Sequence, residues 1–415
     1  MAKSIQIPLD LPDVRVLNVS QTEQGEWLIE LESTLEGTTC RKCGHSIEQF
    51  HGLEQAIRVR HLPVFGQSVY IEFRPKRYRC EYCKGHPTTT QRLSWHNVRS
   101  PNTKPYEKWL LGLLVNSTIA DVAKTLAISE ERVNGVLDRW LSDTVDWVEF
   151  DEIKVLGVDE ISLKRGHRDF VVLVTVRTQS GGVKLLAVLP DRKKQTVLDF
   201  FASIPTRLKG TIQRVCSDMY DGFVNAAQEA LPKAKIVVDR FHVAKAYRDC
   251  ADTVRKREIK RLKKELSETE YQQIKGSMWS FRKSPDDLKE EEKQRLERLL
   301  SHSPTLQQAY QLRNELTDIF DGDYTKAGAK CAIRAWCKRV RKSGLEAFNS
   351  FLKTVETWLD KITNYFLERL SSGFVEGFNN RAKVLKRRCY GIFDVGRLFQ
   401  RLTLDINGYE QYSLT

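Results

Sequence analysis

Residues 154–163, KVLGVDEISL, place an aspartate near the end of a nearly continuous apolar run. A run of this kind is typical of a strand that is buried on both faces. Asp159 therefore projects from a strand at a position where a charged group costs burial energy. The same pattern recurs in residues 212–223, IQRVCSDMYDGF, where Asp218 follows another apolar run. Both aspartates are candidates for a functional site, although a turn or helix cap would also explain either one.

The segments around these aspartates alternate between strand and helix patterns. Three strands are followed by helix, strand, helix and strand, in the order IKVLGVDEISL, DFVVLVTVRT, GVKLLAVLP, QTVLDFFASIP, IQRVCSDMY, DGFVNAAQEALP and AKIVVDRF. This alternation predicts a mixed sheet with covering helices. Residues 246–365 have a helical, highly charged pattern, and we interpret them as an insertion between residues 151–245 and 366–415 of one α/β domain.

A third acidic residue occurs in SSGFVEGFNNRAK, residues 371–383, where Glu376 lies among aromatic and glycine residues in a predicted helix. Two aspartates at adjacent strand ends and a glutamate on a packed helix can converge on two divalent cations. Their hard oxygen ligands suit Mg²⁺ or Mn²⁺, and such a metal pair promotes phosphoryl transfer. The order of strands and helices matches the RNase H-like arrangement. The alternative is that Glu376 is a surface charge beside apolar neighbours.

Residues 1–100 have short strand patterns and two cysteine pairs, CRKC at 40–43 and CEYC at 80–83. Each pair can present two thiolates to one tetrahedral metal from a single tight turn. We expect a structural, zinc ribbon-like site formed by Cys40, Cys43, Cys80 and Cys83, with His45 and His86 as substitute ligands. Unrelated buried thiols are the alternative. The basic stretches around the site suit contact with phosphates, although a solvated basic face would look the same.

Residues 101–150 contain TIADVAKTLAISEERVNGVLDRWL, whose apolar spacing fits a helix-turn-helix. Ser129 is a predicted N-cap of the second helix. Arg132 and Asn134 would be exposed on that helix, which in such units enters the major groove of DNA. A compact three-helix bundle has the same periodicity, so both interpretations stay open at this point.

The composition supports a polyanionic partner. The chain of 415 residues has 67 Lys and Arg against 54 Asp and Glu, a formal charge of +13, and such an excess favours nucleic acid. It has no apolar run long enough to span a membrane and no apolar signal core at its start. Its odd number of cysteines, nine, argues for a reducing compartment. We therefore expect a cytoplasmic, nucleoid-associated protein with no membrane partner.

Four stretches together resemble bacterial insertion-sequence transposases of the ISL-three type: GVDEISLKRGHRDF, VCSDMYDGFVNAA, VVDRFHVAKA and SSGFVEGFNNRAKVLKRRCYGIFD. The resemblance covers the whole chain and implies a multidomain α+β protein. Its parts would be a zinc-binding module, a helix-turn-helix and an RNase H-like catalytic domain with an all-helical insertion. It further implies that Asp159, Asp218 and Glu376 are a DDE triad that binds Mg²⁺.

The resemblance also suggests roles for the residues around the triad. DRFH matches an Asp-x-x-His signature of related transposases, so Asp239 and His242 would position the metal ligands or a DNA strand; a histidine satisfied by a capping carboxylate is the alternative. The run after Glu376 would contact the DNA backbone, or form a solvated helix face, through Arg381, Lys383, Lys386, Arg387 and Arg388.

The function that the resemblance implies is cleavage and joining of double-stranded DNA at inverted-repeat ends by a homodimer on paired ends. A non-catalytic DNA-binding regulator and a structure-specific nuclease are the competing classes. Cleavage with Mg²⁺ or Mn²⁺ separates the regulator from the enzymes, and a preference for element ends separates the transposase from the nuclease.

Overall fold

The computed structural model describes residues 8–163, 170–179, 181–369 and 373–412. The chain divides into two units. The first contains the residues up to Leu141 and those from Thr403 onward, and the second runs from Ser142 to Leu402. Within the described ranges, no helix is both long and apolar enough to cross a membrane.

The first unit begins with short strands: β1 (Val14–Gln21), β2 (Trp27–Ser33), β3 (Thr38–Thr39), β4 (Ser46–Ile47), β5 (Phe50–Leu53), β6 (Ile57–Val64), β7 (Gln67–Phe73), β8 (Lys76–Arg79) and β9 (Thr88–Thr90). They form a four-stranded sheet of order β1-β2-β7-β6, a β3-β4 pair and a β5-β8-β9 sheet. Side chains of alternating positions on β7 are buried, as expected for a sheet with one face on a core.

Three helices follow: α1 (Lys104–Leu114), α2 (Ile119–Thr125) and α3 (Glu130–Trp140). The hydroxyl of Ser129 accepts a hydrogen bond from the backbone N–H of Arg132, which confirms the predicted N-cap of α3. Val122, Val133 and Leu137 are buried in one cluster with leucines of α1 and with Leu404. The helices therefore bury the apolar stripe that their sequence predicts.

The second unit is built on a five-stranded sheet: β10 (Val155–Ser162), β11 (Phe170–Arg177), β12 (Val183–Leu189), β13 (Arg214–Ser217) and β14 (Lys235–Val238). Its order is β12-β11-β10-β13-β14. The pairs β12–β11 and β11–β10 are antiparallel, whereas β10–β13 and β13–β14 are parallel. The connecting helices are α4 (Lys194–Ser203), α5 (Thr206–Lys209) and α6 (Asp221–Ala230). The strand and helix order predicted from the sequence is confirmed, with the short α5 added.

A block of helices follows the last strand: α7 (Arg240–Glu265), α8 (Glu268–Ile274), α9 (Met278–Arg282), α10 (Glu290–Ser301), α11 (Pro304–Asp321), α12 (Lys326–Ser343) and α13 (Asn349–Thr363). One hydrophobic cluster joins this block to the sheet, with Phe223, Tyr247 and Trp336 among its members. Nδ2 of Asn364 donates to the carbonyl of Ile236 on β14, at 2.7 Å. The block thus shares its core with the sheet.

Two helices complete the chain, α14 (Gly373–Arg388) and α15 (Val395–Tyr412). Helix α14 buries one stripe, formed by Val375, Phe378, Asn379, Ala382 and Leu385. This spacing of three and four residues is that of a helix with one packed face. The predicted helical context of Glu376 is therefore confirmed.

Candidate active site and zinc centre

Asp159, Asp218 and Asp239 form a row across three neighbouring parallel strands. The register pairs the residues that immediately precede them, Val158 with Ser217 and Ser217 with Val238. Asp218 and Asp239 directly follow β13 and β14, whereas Asp159 lies within β10, three residues before its end, so its predicted position at a strand end is wrong. The parallel register still places the three aspartates side by side. We call this row of Asp159, Asp218 and Asp239 the carboxylate edge.

The electrostatics of the carboxylate edge favour a bound cation. Burial raises the pKa of Asp159, and burial together with the charge of Asp159 raises the pKa of Asp218 to about 6. Oδ1 of Asp218 is buried and has no hydrogen-bond partner among the described residues. A buried carboxylate oxygen without a donor is costly. Hard oxygen ligands held in this way fit Mg²⁺ or Mn²⁺.

Asp159 is held from two sides. Its Oδ1 accepts a hydrogen bond from the backbone N–H of Glu160 at 2.7 Å, and its Oδ2 accepts one from Nδ2 of Asn379 on α14. Glu160 itself pairs with Arg192 at 3.2 Å. The carboxylate of Asp159 is therefore fixed in orientation, while Glu160 is occupied by an arginine.

Asp239 and His242 lie at the start of α7. Oδ1 of Asp239 caps the helix by accepting from the N–H of Phe241 at 2.8 Å. Nδ1 of His242 lies 3.6 Å from Oδ2 of Asp239, too far for a hydrogen bond, and this nitrogen is buried without a partner in the described part of the chain. Helix capping explains the position of Asp239, but it leaves Nδ1 of His242 without a hydrogen-bond partner among the described residues.

Glu376 lies on the first turn of α14 and is half-buried. It precedes Asn379 by three residues, so both side chains lie on the same side of the helix. Among the described residues, the four cysteines form the one group of three or more potential metal ligands that all lie within 4.8 Å of one another, so Asp159, Asp218 and Glu376 do not form a complete group of that size. The structure thus places Glu376 on the side of α14 whose Asn379 contacts Asp159, while the three acids do not close into one compact group.

Cys40, Cys43, Cys80 and Cys83 form that group, with their sulfur atoms within 4.8 Å of one another. Sγ of Cys40 lies 4.0 Å from that of Cys83, and Sγ of Cys43 lies 3.6 Å from that of Cys80. A tetrahedral zinc site with Zn–S bonds of about 2.3 Å has sulfur–sulfur distances of about 3.8 Å. The four thiols therefore fit zinc.

The substitute ligands considered from the sequence lie outside this group. His86 uses Nδ1 to contact the carbonyl of Cys80 at 3.0 Å, and His45 stacks on Tyr82 with ring centroids 4.7 Å apart. The backbone N–H groups of Cys43 and Lys42 lower the pKa of Cys40 to about 6. This favours the thiolate of Cys40, the form that binds metal, whereas burial and hydrogen bonds among the four sulfurs raise the pKa of Cys80 and Cys83.

The chain matches a family model described as "Transposase", that of the ISL3 type, over residues 156–402. The transposase for insertion sequence element IS1001 of Bordetella parapertussis is 30% identical over 377 residues, which are 90% of this chain and 90% of that protein. The chain belongs to the ISL-three family of transposases. The resemblance found in the sequence is therefore confirmed.

Two further proteins are similar to this transposase. The transposase for insertion sequence element IS1557 of Mycobacterium tuberculosis is 22% identical over 391 residues, 89% of this chain and 86% of that protein. Among solved structures, the Drosophila P element transposase strand transfer complex aligns with a TM-score of 0.40 and 12% identity. That alignment covers 73% of this chain and 91% of the other.

Some of the residues that the sequence predicts to contact DNA are exposed, and others are not. Arg132, Arg381, Lys383 and Arg387 are exposed, whereas Asn134 and Arg388 are half-buried. Asn134 was expected to be exposed, but it directly follows the buried Val133 of α3. Lys386 donates to the carbonyl of Ser162 at the end of β10, at 2.5 Å. The ammonium group of Lys386 thus binds the protein's own backbone.

Sequence reasoning missed the role of Gly157. A Cβ atom at this position would lie 2.4 Å from Cγ2 of Val375 and 2.6 Å from Oγ1 of Thr175. Such distances are too short for any side chain, so glycine is required where α14 crosses β10. An isolated glycine inside a strand pattern signals a close approach of another segment, and this signal was present in KVLGVDEISL.

Proposed function

We propose that this transposase is a DDE enzyme that cuts and rejoins DNA at the inverted-repeat ends of its own element. The observation that carries the proposal is the register that aligns Asp159 with Asp218 at one edge of the sheet, with a carboxylate oxygen of Asp218 left without a donor. The strand order β12-β11-β10-β13-β14 is the one expected of an RNase H-like domain.

Asp159, Asp218 and Glu376 would hold the divalent cations, Mg²⁺ or Mn²⁺. Bound there, a metal pair activates the attacking oxygen and stabilises the leaving oxygen of a phosphodiester. Asn379 keeps one oxygen of Asp159 in place. Lys383 is exposed on α14, and its positive charge partly offsets the burial that raises the pKa of Asp159. It would attract a DNA phosphate to the same edge. Asp239 and His242 would position the ligands or a strand beside them.

The first unit would recognise the ends. Helices α2 and α3 are each capped at the N-terminus and are joined by a short turn, which supports a helix-turn-helix, and Arg132 is exposed at the start of α3. The four cysteines would hold a structural zinc ion that keeps the β3–β4 and β8–β9 turns together. Since two ends are cut in concert, we expect a homodimer on paired ends, acting on the DNA of a bacterial nucleoid.

The test is cleavage of a labelled duplex that carries the element's inverted repeat, with Mg²⁺. Wild type should cut at the end, and Glu376→Gln should bind the duplex equally well but cut at least 10³-fold more slowly, an estimate from the loss of a metal ligand. Glu297→Gln, an exposed glutamate on α10, is the matched control and should cut like wild type. Equal cleavage by the two variants would show that Glu376 is not a ligand of the catalytic metal ions. Binding without any cleavage by wild type would favour a regulator.

A further inference from the structure

A pocket opens on the helical block beside the start of α7. It lies within the second unit and is lined by side chains of α7, α9 and α11: Phe241, Lys245, Arg248, Phe281, Arg282 and Arg313. The first three are spaced by four and three residues, so they share one face of α7. Helix α7 begins at the carboxylate edge, where Asp239 caps it, and the pocket therefore starts next to the proposed site of cleavage.

Arg313 is a buried cation in the lining of this pocket. Its side chain is only 4% exposed, and its guanidinium donates to the carbonyls of Phe281 and Lys283 and to Oδ1 of Asn314. In the part of the chain that the structure describes, no carboxylate forms an ion pair with it. Burial and the nearby charge of Arg248 lower the pKa of Arg313. A bound anion would relieve this cost.

The charge of the pocket is positive in sum. Four basic side chains and the two carboxylates of Asp249 and Asp252 line it, which leaves a formal charge of +2. Asp252 is already used, because it accepts hydrogen bonds from Arg255 at 2.7 Å and from Arg282 at 2.8 Å. Lys245 and Arg248 are exposed and form no ion pair within the described ranges. Both are available to a ligand.

Aromatic walls distinguish this pocket from a simple anion site. Phe241 is 50% exposed although its backbone N–H is held by Asp239, and Phe281, also in the lining, is buried. An aromatic ring beside basic side chains is the arrangement that binds a single nucleic-acid strand, since an unpaired base stacks on the ring while the phosphate pairs with the cations. An inorganic anion would make no use of Phe241.

The distance from the carboxylate edge sets which nucleotide could reach the pocket. Lys245 and Arg248 follow Asp239 by six and nine residues, which is about 9 and 13 Å along a helix. One DNA strand rises about 3.4 Å per nucleotide. Along a duplex whose axis follows α7, the pocket therefore lies about three or four nucleotides from a phosphate at the carboxylate edge.

We propose that this pocket holds one nucleotide of the DNA strand about three or four positions from the scissile phosphate. Lys245 and Arg248 pair with its phosphate, and Phe241 stacks on its base, which is unpaired at that position. The helical insertion would then act as a clamp on the DNA beside the cut, a role that rests on the proposed function of the carboxylate edge.

The experiment measures binding of full-length protein to inverted-repeat duplexes without added Mg²⁺. In each duplex one phosphate, within six nucleotides on either side of the cut, is replaced by a neutral methylphosphonate. At one position about three or four nucleotides from the cut, this replacement should weaken wild-type binding about tenfold. It should not weaken binding of the Lys245→Ala, Arg248→Ala double variant any further. Lys260→Ala, an exposed lysine farther along α7, is the matched control and should behave like wild type.

Two results would contradict the proposal that this pocket binds a nucleotide. Either the double variant binds the unmodified duplex like wild type, or it remains as sensitive as wild type to every neutralised phosphate. Phe241→Leu should lower affinity for a normal duplex but not for one with an abasic site at the same position; equal losses on both would remove the base contact. Cleavage of the unmodified duplex by wild type with Mg²⁺ is measured in parallel. If wild type does not cleave, the proposed enzymatic function is wrong, but the binding data still test whether the pocket contacts a DNA phosphate.

Discussion

Nδ2 of Asn379, on α14, donates a hydrogen bond to Oδ2 of Asp159, on β10. The two residues are 220 positions apart in the chain, yet this bond joins the helix that carries Glu376 to the strand that carries the first aspartate. It orients a carboxylate that we propose as a metal ligand, and outer partners of this kind tune the ligand they contact.

Replacing Asn379 by alanine should therefore weaken metal use rather than DNA binding. We expect cleavage to fall about 10–100-fold and the Mg²⁺ concentration for half-maximal cleavage to rise, because the loss of such partners typically costs that factor. The measurement is a Mg²⁺ titration of end cleavage. Asn380→Ala, an exposed neighbour, should titrate like wild type. Unchanged Mg²⁺ dependence in Asn379→Ala would show that the bond plays no part in metal binding.

Gly157→Ala should displace α14 and with it Glu376. The new methyl group would lie 2.4 Å from Cγ2 of Val375, and overpacking of this kind costs about 1–3 kcal/mol. We expect a lower melting temperature and cleavage reduced by at least tenfold, an estimate for misplacement of a reacting group.

Two variants sharpen the test of Gly157. Adding Val375→Ala to Gly157→Ala should restore part of both properties, because it removes the atom that the new methyl group meets. Gly210→Ala, where a Cβ has no contact closer than 4.0 Å, should be neutral. Full activity of Gly157→Ala alone would mean that α14 tolerates the displacement.

Asp218→Asn should stabilise the metal-free protein at neutral pH while abolishing cleavage. The pKa of Asp218 is about 6 in the folded protein against 3.8 for an ordinary aspartate. Between these values the folded state binds more protons than the unfolded state, so stability contributed by this group falls as pH rises from about 4 to 6. The expected gain at pH 7 is about 1–2 kcal/mol, less than the full shift implies because the side chain is partly solvated.

Thermal melts between pH 4 and 8 without divalent metal measure this effect. Mg²⁺ should raise the melting temperature of wild type near pH 7 but not that of Asp218→Asn. Asp221→Asn, in the exposed first turn of α6, is the control and should gain nothing. Parallel pH profiles for wild type and Asp218→Asn would contradict the raised pKa.

The four-cysteine group should bind one zinc ion per chain. Structural zinc contributes on the order of 10 kcal/mol of apparent binding free energy at pH 7, so Cys80→Ser should lose the ion and destabilise the first unit. Metal analysis of purified protein together with limited proteolysis checks both. Cys331→Ser changes an exposed cysteine outside the group and should keep its zinc. Full zinc content in Cys80→Ser would contradict a four-cysteine site.

Much of the fold followed from local pattern. The apolar runs before Asp159 and Asp218 predicted two strands, the capped periodicity after Ser129 predicted α3, and the C-x-x-C spacing predicted the metal group. These features depend on residues close together in the chain, where side-chain period and turn chemistry act directly. The sequence also predicted that Asp159 and Asp218 lie on adjacent strands of one sheet.

The sequence alone determined the kinds of residue available to the site and the elements that carry them. Only the tertiary structure decided that Asn379 meets Asp159, that Gly157 admits α14, and that Arg313 is buried near Arg248. These relations join segments that are far apart in the chain, and they depend on how helices seat on a sheet. Helical or strand periodicity reports which face of a segment is apolar, but the partner of that face is selected by packing of the whole core.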